Sequence, residues 1–183
     1  TDQDLYISSE TEANALVKAN LLTIGLSNVS AFVGFGGMGL QLTDLDLAIA
    51  LWSENKDTDA RSWTSVMGNV GSASFVGVTG LTIAVTNAGI VVNKEWEADH
   101  TVVDYVQGAG ETNATALTVA TSSNAADNVS FAIDDLNGDY LKVTGTATIN
   151  VFDVVEVTGS FGVEKKTDQD LYISSETEAN ALV

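Results

Sequence analysis

The sequence predicts an all-β fold, and three observations carry that prediction. Apolar and polar residues alternate over runs of strand length: Leu22, Ile24 and Leu26, then Leu45, Leu47, Ile49 and Leu51, then Leu81, Ile83 and Val85. Val, Ile, Thr and Phe dominate these runs, and Gly- and Asn-rich stretches separate them. One phrase also returns inside the chain. Residues 30–52, "SAFVGFGGMGLQLTDLDLAIALW", lie without gaps on "ASFVGVTGLTIAVTNAGIVVNKE", 43 positions later.

At the start of the chain, Leu5, Tyr6 and Ile7 suit a short strand. Ser9 and Glu12 form a capping box ahead of Ala13, Leu16 and Val17, which predicts a two-turn helix over 10–18. From Asn20 onward the pattern is β. In the shifted phrases Phe32/Phe75, Val33/Val76, Gly34/Gly77, Gly37/Gly80 and Thr43/Thr86 coincide. Met38/Leu81, Leu40/Ile83, Leu42/Val85, Leu47/Ile90 and Ile49/Val92 stay apolar. A related phrase closed by Asn or Asp recurs as "IGLSN" (24–28) and "INVFD" (149–153). Asn and Asp tolerate left-handed backbone, so each copy is expected to bend or bulge its strand there. Long bent antiparallel strands predict a sandwich or a solenoid-like slab. Asn137-Gly138, between "FAIDD" and "YLKVTGTATINV", predicts a type I′ hairpin. Residues 54–60, 95–101 and 108–128 read as polar loops.

A wider repeat organises the whole chain. "TDQDLYISSETEANALV" opens it at Thr1 and closes it from Thr167 to Val183 without one substitution. A period of 166 exceeds the 20–50 residues of solenoid repeats and suits a whole domain in tandem. The alternative is an added tag or overlap, but the segment resembles no purification tag and begins without Met. The organisation that follows is a junction segment with a short helix at 1–19, a β module at 20–166, and the start of the next identical repeat at 167–183. Nearest-neighbour interfaces stabilise such arrays. Leu5, Tyr6 and Ile7, with their copies Leu171, Tyr172 and Ile173, are the expected inter-repeat anchors, adding a strand to an open sheet edge.

Formal net charge is −18 over 183 residues, and removing the second copy's Asp168, Asp170, Glu176 and Glu178 leaves −14 per repeat. Such a chain repels nucleic-acid phosphates and anionic membranes. Neighbouring copies of itself are the expected partners, with no nucleic acid and no membrane insertion, since no apolar run approaches 18 residues. Cysteine is absent, which excludes disulfides and thiolate metal sites. Proline is absent too, which removes slow X-Pro isomerisation from folding.

"SAFVGFGG", "LTDLDLAIAL", "SASFVGVTGLTIAVTNAGIVVN" and "VVEVTGSFGVEK" resemble repeats of very large, acidic, secreted bacterial surface proteins, over residues 20–166. The resemblance implies a tandem β-repeat array with adhesive or fibre-forming roles, extracellular or at the cell surface. It brings no catalytic residues.

Chemistry-bearing residues are few. "DDLNGDY" (134–140) reads either as a solvated hairpin turn, the preferred reading, or as a calcium loop formed by Asp134, Asp135, Asn137 and Asp139. Asp44 and Asp46 share a strand face and, with Asp57 and Asp59, form either an outward acidic row or a divalent-ion site. His100 stands beside Asp99 without an identifiable nucleophile, and reads as surface. "GFGGMG" (34–39) lacks the Lys-Ser/Thr of a phosphate-binding loop and reads as a strand bend. Trp52, Trp63 and Trp96 suit core or rim more than a sugar-stacking platform. Asn28, Asn113 and Asn128 satisfy N-x-Ser/Thr, the latter two in an expected exposed loop. The leading function is a structural repeat module of an extracellular fibre, adhesin stalk or cell-surface coat, stacked end to end and not an enzyme. A glycan- or calcium-binding surface module is the alternative.

Overall fold

The computed structural model describes residues 2–9, 14–97, 100–108, 113–133, 138–169, 171–173 and 181–182. Five consecutive strands set the frame: β1 (Gln3–Ser8), β2 (Ala15–Phe35), β3 (Met38–Glu54), β4 (Ser62–Val76) and β5 (Leu81–Glu95). A crossover carries the short strands β6 (Val102–Val103), β7 (Thr118–Val119) and β8 (Val129–Ser130). The chain then returns as β9 (Tyr140–Val151) and β10 (Val155–Lys166), followed by β11 (Tyr172–Ile173) and β12 (Ala181–Leu182). The main sheet has the order β10-β9-β5-β4-β3-β2-β1-β6, and every pair in it is antiparallel. β7 pairs with β8, and β11 with β12, as separate two-stranded sheets. The fold is all-β, with the long bent antiparallel strands assembled as one broad slab.

The bend expected in "IGLSN" falls at Asn28, whereas "INVFD" ends β9 in a hairpin turn at Phe152 and Asp153 instead of bending a strand. The internal repeat adds bends at Asp44 and Asn87. Asn28, Asp44 and Asn87 have φ of 53°, 53° and 51°. Short polar side chains that bond locally make this left-handed backbone accessible to them. Asp44 lies opposite Gly71, between the pairs Thr43–Ser72 and Leu45–Val70. Asn87 faces the same glycine from the other side, between Ser72–Thr86 and Val70–Ala88. The line continues onto β9 at Gly145, where the ladder slips between Thr86 and Gly89. Asn28 donates its N–H to Asp46 Oδ1 at 2.8 Å, and the β2–β3 register shifts beside it. Left-handed residues and glycines thus form one transverse crease. The 43-residue internal repeat also has a structural meaning: Leu42 is level with Val85 through Ala73, a translation of two strands.

Three hairpin tips crowd one end. Gly36 and Gly37, φ 62° and 81°, make the two-residue turn between the paired Phe35 and Met38. Phe152 and Asp153 have the positive φ of a type I′ turn, closed by Val154 N–H on Val151 O at 3.0 Å. Gly77 and Gly80 turn β4 into β5.

The core sits at the opposite end, under the crossover. Trp52 and Trp63 are cross-strand neighbours, 3% and 1% exposed. They join Leu5, Ile7, Ala19, Ala48 and Ala50 from the sheet with Val102, Val103, Tyr105, Val119, Phe131 and Ile133 from the covering segment. Tyr105 and Phe131 stack at 4.8 Å between ring centroids. A buried polar chain fastens the cover to the sheet. Trp52 Nε1 donates to the Tyr105 hydroxyl at 3.0 Å, which donates to Ser65 Oγ at 2.8 Å. Ser65 donates to Asn93 Oδ1 at 3.0 Å, and Asn93 Nδ2 to Val103 O at 2.8 Å. Burial pushes the Tyr105 hydroxyl up to about 12, against the lowering effect of its bonds to Ser65 and Trp52.

Three expectations are corrected. Residues 15–18 open β2 instead of ending a helix, because Leu16 and Val17 pair with Tyr6 and Leu5 of β1; residues 10–13 lie outside the described residues. β9 takes β5 and β10 as its two neighbours and not residues 131–133, so the expected hairpin pairing is replaced; residues 134–137 lie outside the described residues. Glu95 belongs to β5 and is buried, accepting from Thr101 N–H at 2.5 Å and Thr101 Oγ1 at 2.6 Å.

Candidate functional site

The two copies of the repeated sentence share two hairpin pairs among the described residues. In the first, Tyr6 pairs with Leu16 and Ile7 with Ala15. In the second, Tyr172 pairs with Leu182 and Ile173 with Ala181. These are the same pairs shifted by one period. Their surroundings differ. Leu5 is fully buried, while its counterpart Leu171 is 59% exposed. The first copy is held by the crossover: Asp104 N–H donates to Tyr6 O at 2.9 Å, and Ser8 Oγ to Asp104 Oδ2 at 2.5 Å. Tyr6 N–H donates to Thr115 Oγ1 at 2.8 Å, and Asn14 Nδ2 to Asn113 O at 2.8 Å. The sentence is therefore bound by the module it opens. Among the described residues the second copy makes its own two-stranded sheet and adds no strand to the main one.

The main sheet has two long open edges. β10 forms one margin, with all twelve residues exposed and, among the described residues, only β9 beside it. On the other side, β1 covers β2 only from Ala15 to Ala19. Beyond that, residues 20–35 of β2 have no strand on the β1 side among the described residues. Unpaired ladder groups of this length are a template for another strand.

The face opposite the crossover is apolar. One row runs Ile24, Ile49, Val66, Val92, Leu141, Lys165 across six strands. The next runs Leu26, Leu47, Gly68, Ile90, Val143, Val163. Leu22, Ile24, Phe161 and Val163 of this face are exposed. The hairpin tips add Phe35 and Val154, 93% and 83% exposed. Patches of this breadth mark interaction surfaces.

The chemistry-bearing residues do not converge. Asp134, Asp135 and Asn137 lie outside the described residues. Asp139 is engaged, taking Lys94 Nζ at 3.0 Å and the Glu95 N–H at 3.2 Å. Among the described residues no group of three His, Asp or Glu is placed to hold a metal. Asp44 and Asp46 sit in mid-strand, while Asp57 and Asp59 lie past the far end of β3. His100 is exposed, and Asp99 lies outside the described residues. "GFGGMG" is the β2–β3 turn. Trp52 and Trp63 are core, whereas Trp96 is exposed, bonded to Thr64 Oγ1 at 2.9 Å with Lys94 over its ring. Asn113 is exposed, Asn128 half-buried, and Asn28 lies within β2. What sequence reading missed was the pair of open edges. No feature of the letters marked them, since a margin is set by the order of the whole sheet.

The chain matches no family model, no curated protein and no solved structure.

Proposed function

We propose that this chain is a structural repeat module, one full period of a tandem array that serves as an extracellular fibre, adhesin stalk or cell-surface coat. The observation that carries this reading is the repeated hairpin: identical letters 166 positions apart take identical register. The first hairpin is completed by Val102, Val103, Asp104, Asn113 and Thr115, and the second would be completed by their counterparts in a following module. Each module then closes its own core with its own leader, and copy number sets length. Net charge of −14 per period keeps such an array soluble by self-repulsion. The glycan-platform alternative loses Trp52 and Trp63 to the core.

Chains of one, two and four modules test this. Interfaces between neighbours predict an unfolding midpoint that climbs with module number, and a scattering length that grows in proportion. A midpoint independent of module number, with modules tumbling separately, contradicts an assembled array.

A further inference from the structure

We infer that successive modules join edge to edge, with β10 of one module pairing antiparallel with residues 20–35 of β2 in the next, so that the main sheets fuse into one continuous ribbon. This rests on the tandem-array reading and adds how the modules meet.

The connectivity places the two edges together. Only Thr167 and Asp168 separate Lys166, the last residue of β10, from Gln169, the copy of the first residue of β1. Counting through the antiparallel partners, β10 runs in the same direction as β1. Lys166 is level with Ala50 through Tyr140, Asn93 and Ser65, while Gln3 is level with Glu54 through Ala19. Gln169, three residues past Lys166 toward that end, therefore reaches about the level that Gln3 holds at the other margin. The next module's first strand is thus set six strand columns across, at the same height and heading. Its β2 must then rise antiparallel beside the exposed edge of β10. In the isolated chain the space above β1, beside residues 20–35, is the one a preceding β10 would fill.

Register follows from the faces. Straight continuation of the β1–β2 ladder would set Val163 against Gly25, placing an outward apolar side chain on the crossover face. A one-residue slip flips every side chain. Asp168 has the left-handed φ of 52° that marks the slips at Asn28, Asp44 and Asn87. With one residue absorbed there, Val163 pairs with Ile24 and Phe161 with Leu26 of the next module. The apolar rows then run on unbroken, and Gly162 meets Gly25, where crossover residue Ala120 leaves no room for a side chain. β10, at twelve residues, fits within the open stretch of β2. Each module would add six columns at about 4.8 Å, about 29 Å of ribbon.

The native sequence contains no cysteine, so introduced pairs report without background. The test uses two modules in tandem, residues 1–166 followed by 1–183, carrying Val163→Cys in the first and Ile24→Cys in the second. A second protein carries Phe161→Cys with Leu26→Cys, and a mismatched one Val163→Cys with Phe35→Cys. Registered antiparallel partners fall within disulfide reach. Mild oxidation should close both registered pairs within one molecule and leave the mismatched pair free. Free thiols in both registered pairs, in tandems whose circular dichroism matches the parent, overturn edge pairing, as does cross-linking only between molecules. A two-module midpoint above the one-module value alongside free thiols would leave the array reading standing and remove this junction alone. Unchanged midpoints and free thiols would remove both.

Discussion

Asp44 stands directly opposite Gly71, and a Cβ on that glycine would lie 2.9 Å from the aspartate's own Cβ. The left-handed bend at Asp44 and the missing side chain at Gly71 are therefore one feature: the sheet creases where a strand turns in and its neighbour has nothing to push back.

Gly71→Val should therefore cost about 1–3 kcal/mol, the usual range for overpacking a tight site. Gly159, on the β10 edge, has nothing within 4 Å of an added Cβ, and Gly159→Ala should stay within about 0.5 kcal/mol. Urea unfolding of both variants decides it. Equal losses would mean that the crease is not packed as described.

Tyr105→Phe should destabilise by about 1–3 kcal/mol, because the buried Trp52 Nε1–H loses its acceptor. pH gives a second readout. The folded hydroxyl is pushed up to about 12 from an ordinary 10.0. Its contribution is fully present below pH 10 and lost as pH rises toward 12, since the unfolded state ionises first. Ultraviolet titration should show a late ionisation step that is absent in Tyr105→Phe. A titration that Tyr105→Phe leaves without a lost late step would mean that the hydroxyl is not buried as described.

Leu5 and Leu171 are the same letter in the same sentence, and they should behave differently in this chain. Leu5→Ala removes a fully buried side chain and should cost about 2–5 kcal/mol. Leu171→Ala, at an exposed position, should change stability by less than about 0.5 kcal/mol. Equal costs in thermal or urea unfolding would mean that the two copies share one environment.

Much of this was legible in the letters, where local chemistry decides. Asn28, Asp44 and Asn87 marked the crease because few other side chains take that backbone readily. The 43-residue echo marked the two-strand translation because equivalent rows need equivalent apolar residues. The failures occurred where partners distant in sequence decide. The capping box at Ser9 and Glu12 lost Leu16 and Val17 to ladder bonds with β1. The Asn137-Gly138 signal promised β9 a hairpin partner just before it in sequence, but β9 pairs with β5 and β10. Glu95 read as loop polarity, and nothing in the letters singled out Ser65 or Asn93. Only the crossover laid above them turns those groups into a buried network. The edges were hidden for the same reason: whether a strand is a margin depends on how the whole sheet is ordered.

Amide hydrogen exchange along β10, followed in the 183-residue chain and in the two-module tandem, decides whether neighbouring modules share one sheet. Alternate β10 amides point away from β9 and have no ladder partner among the described residues of the single module. In the 183-residue chain they should exchange fast. In the tandem, those of the first module should become protected together with the amides of residues 20–35 in the second, while the last β10 stays fast. Fast exchange at every β10 in the tandem, with the rest of each sheet protected as before, would contradict modules that share one sheet.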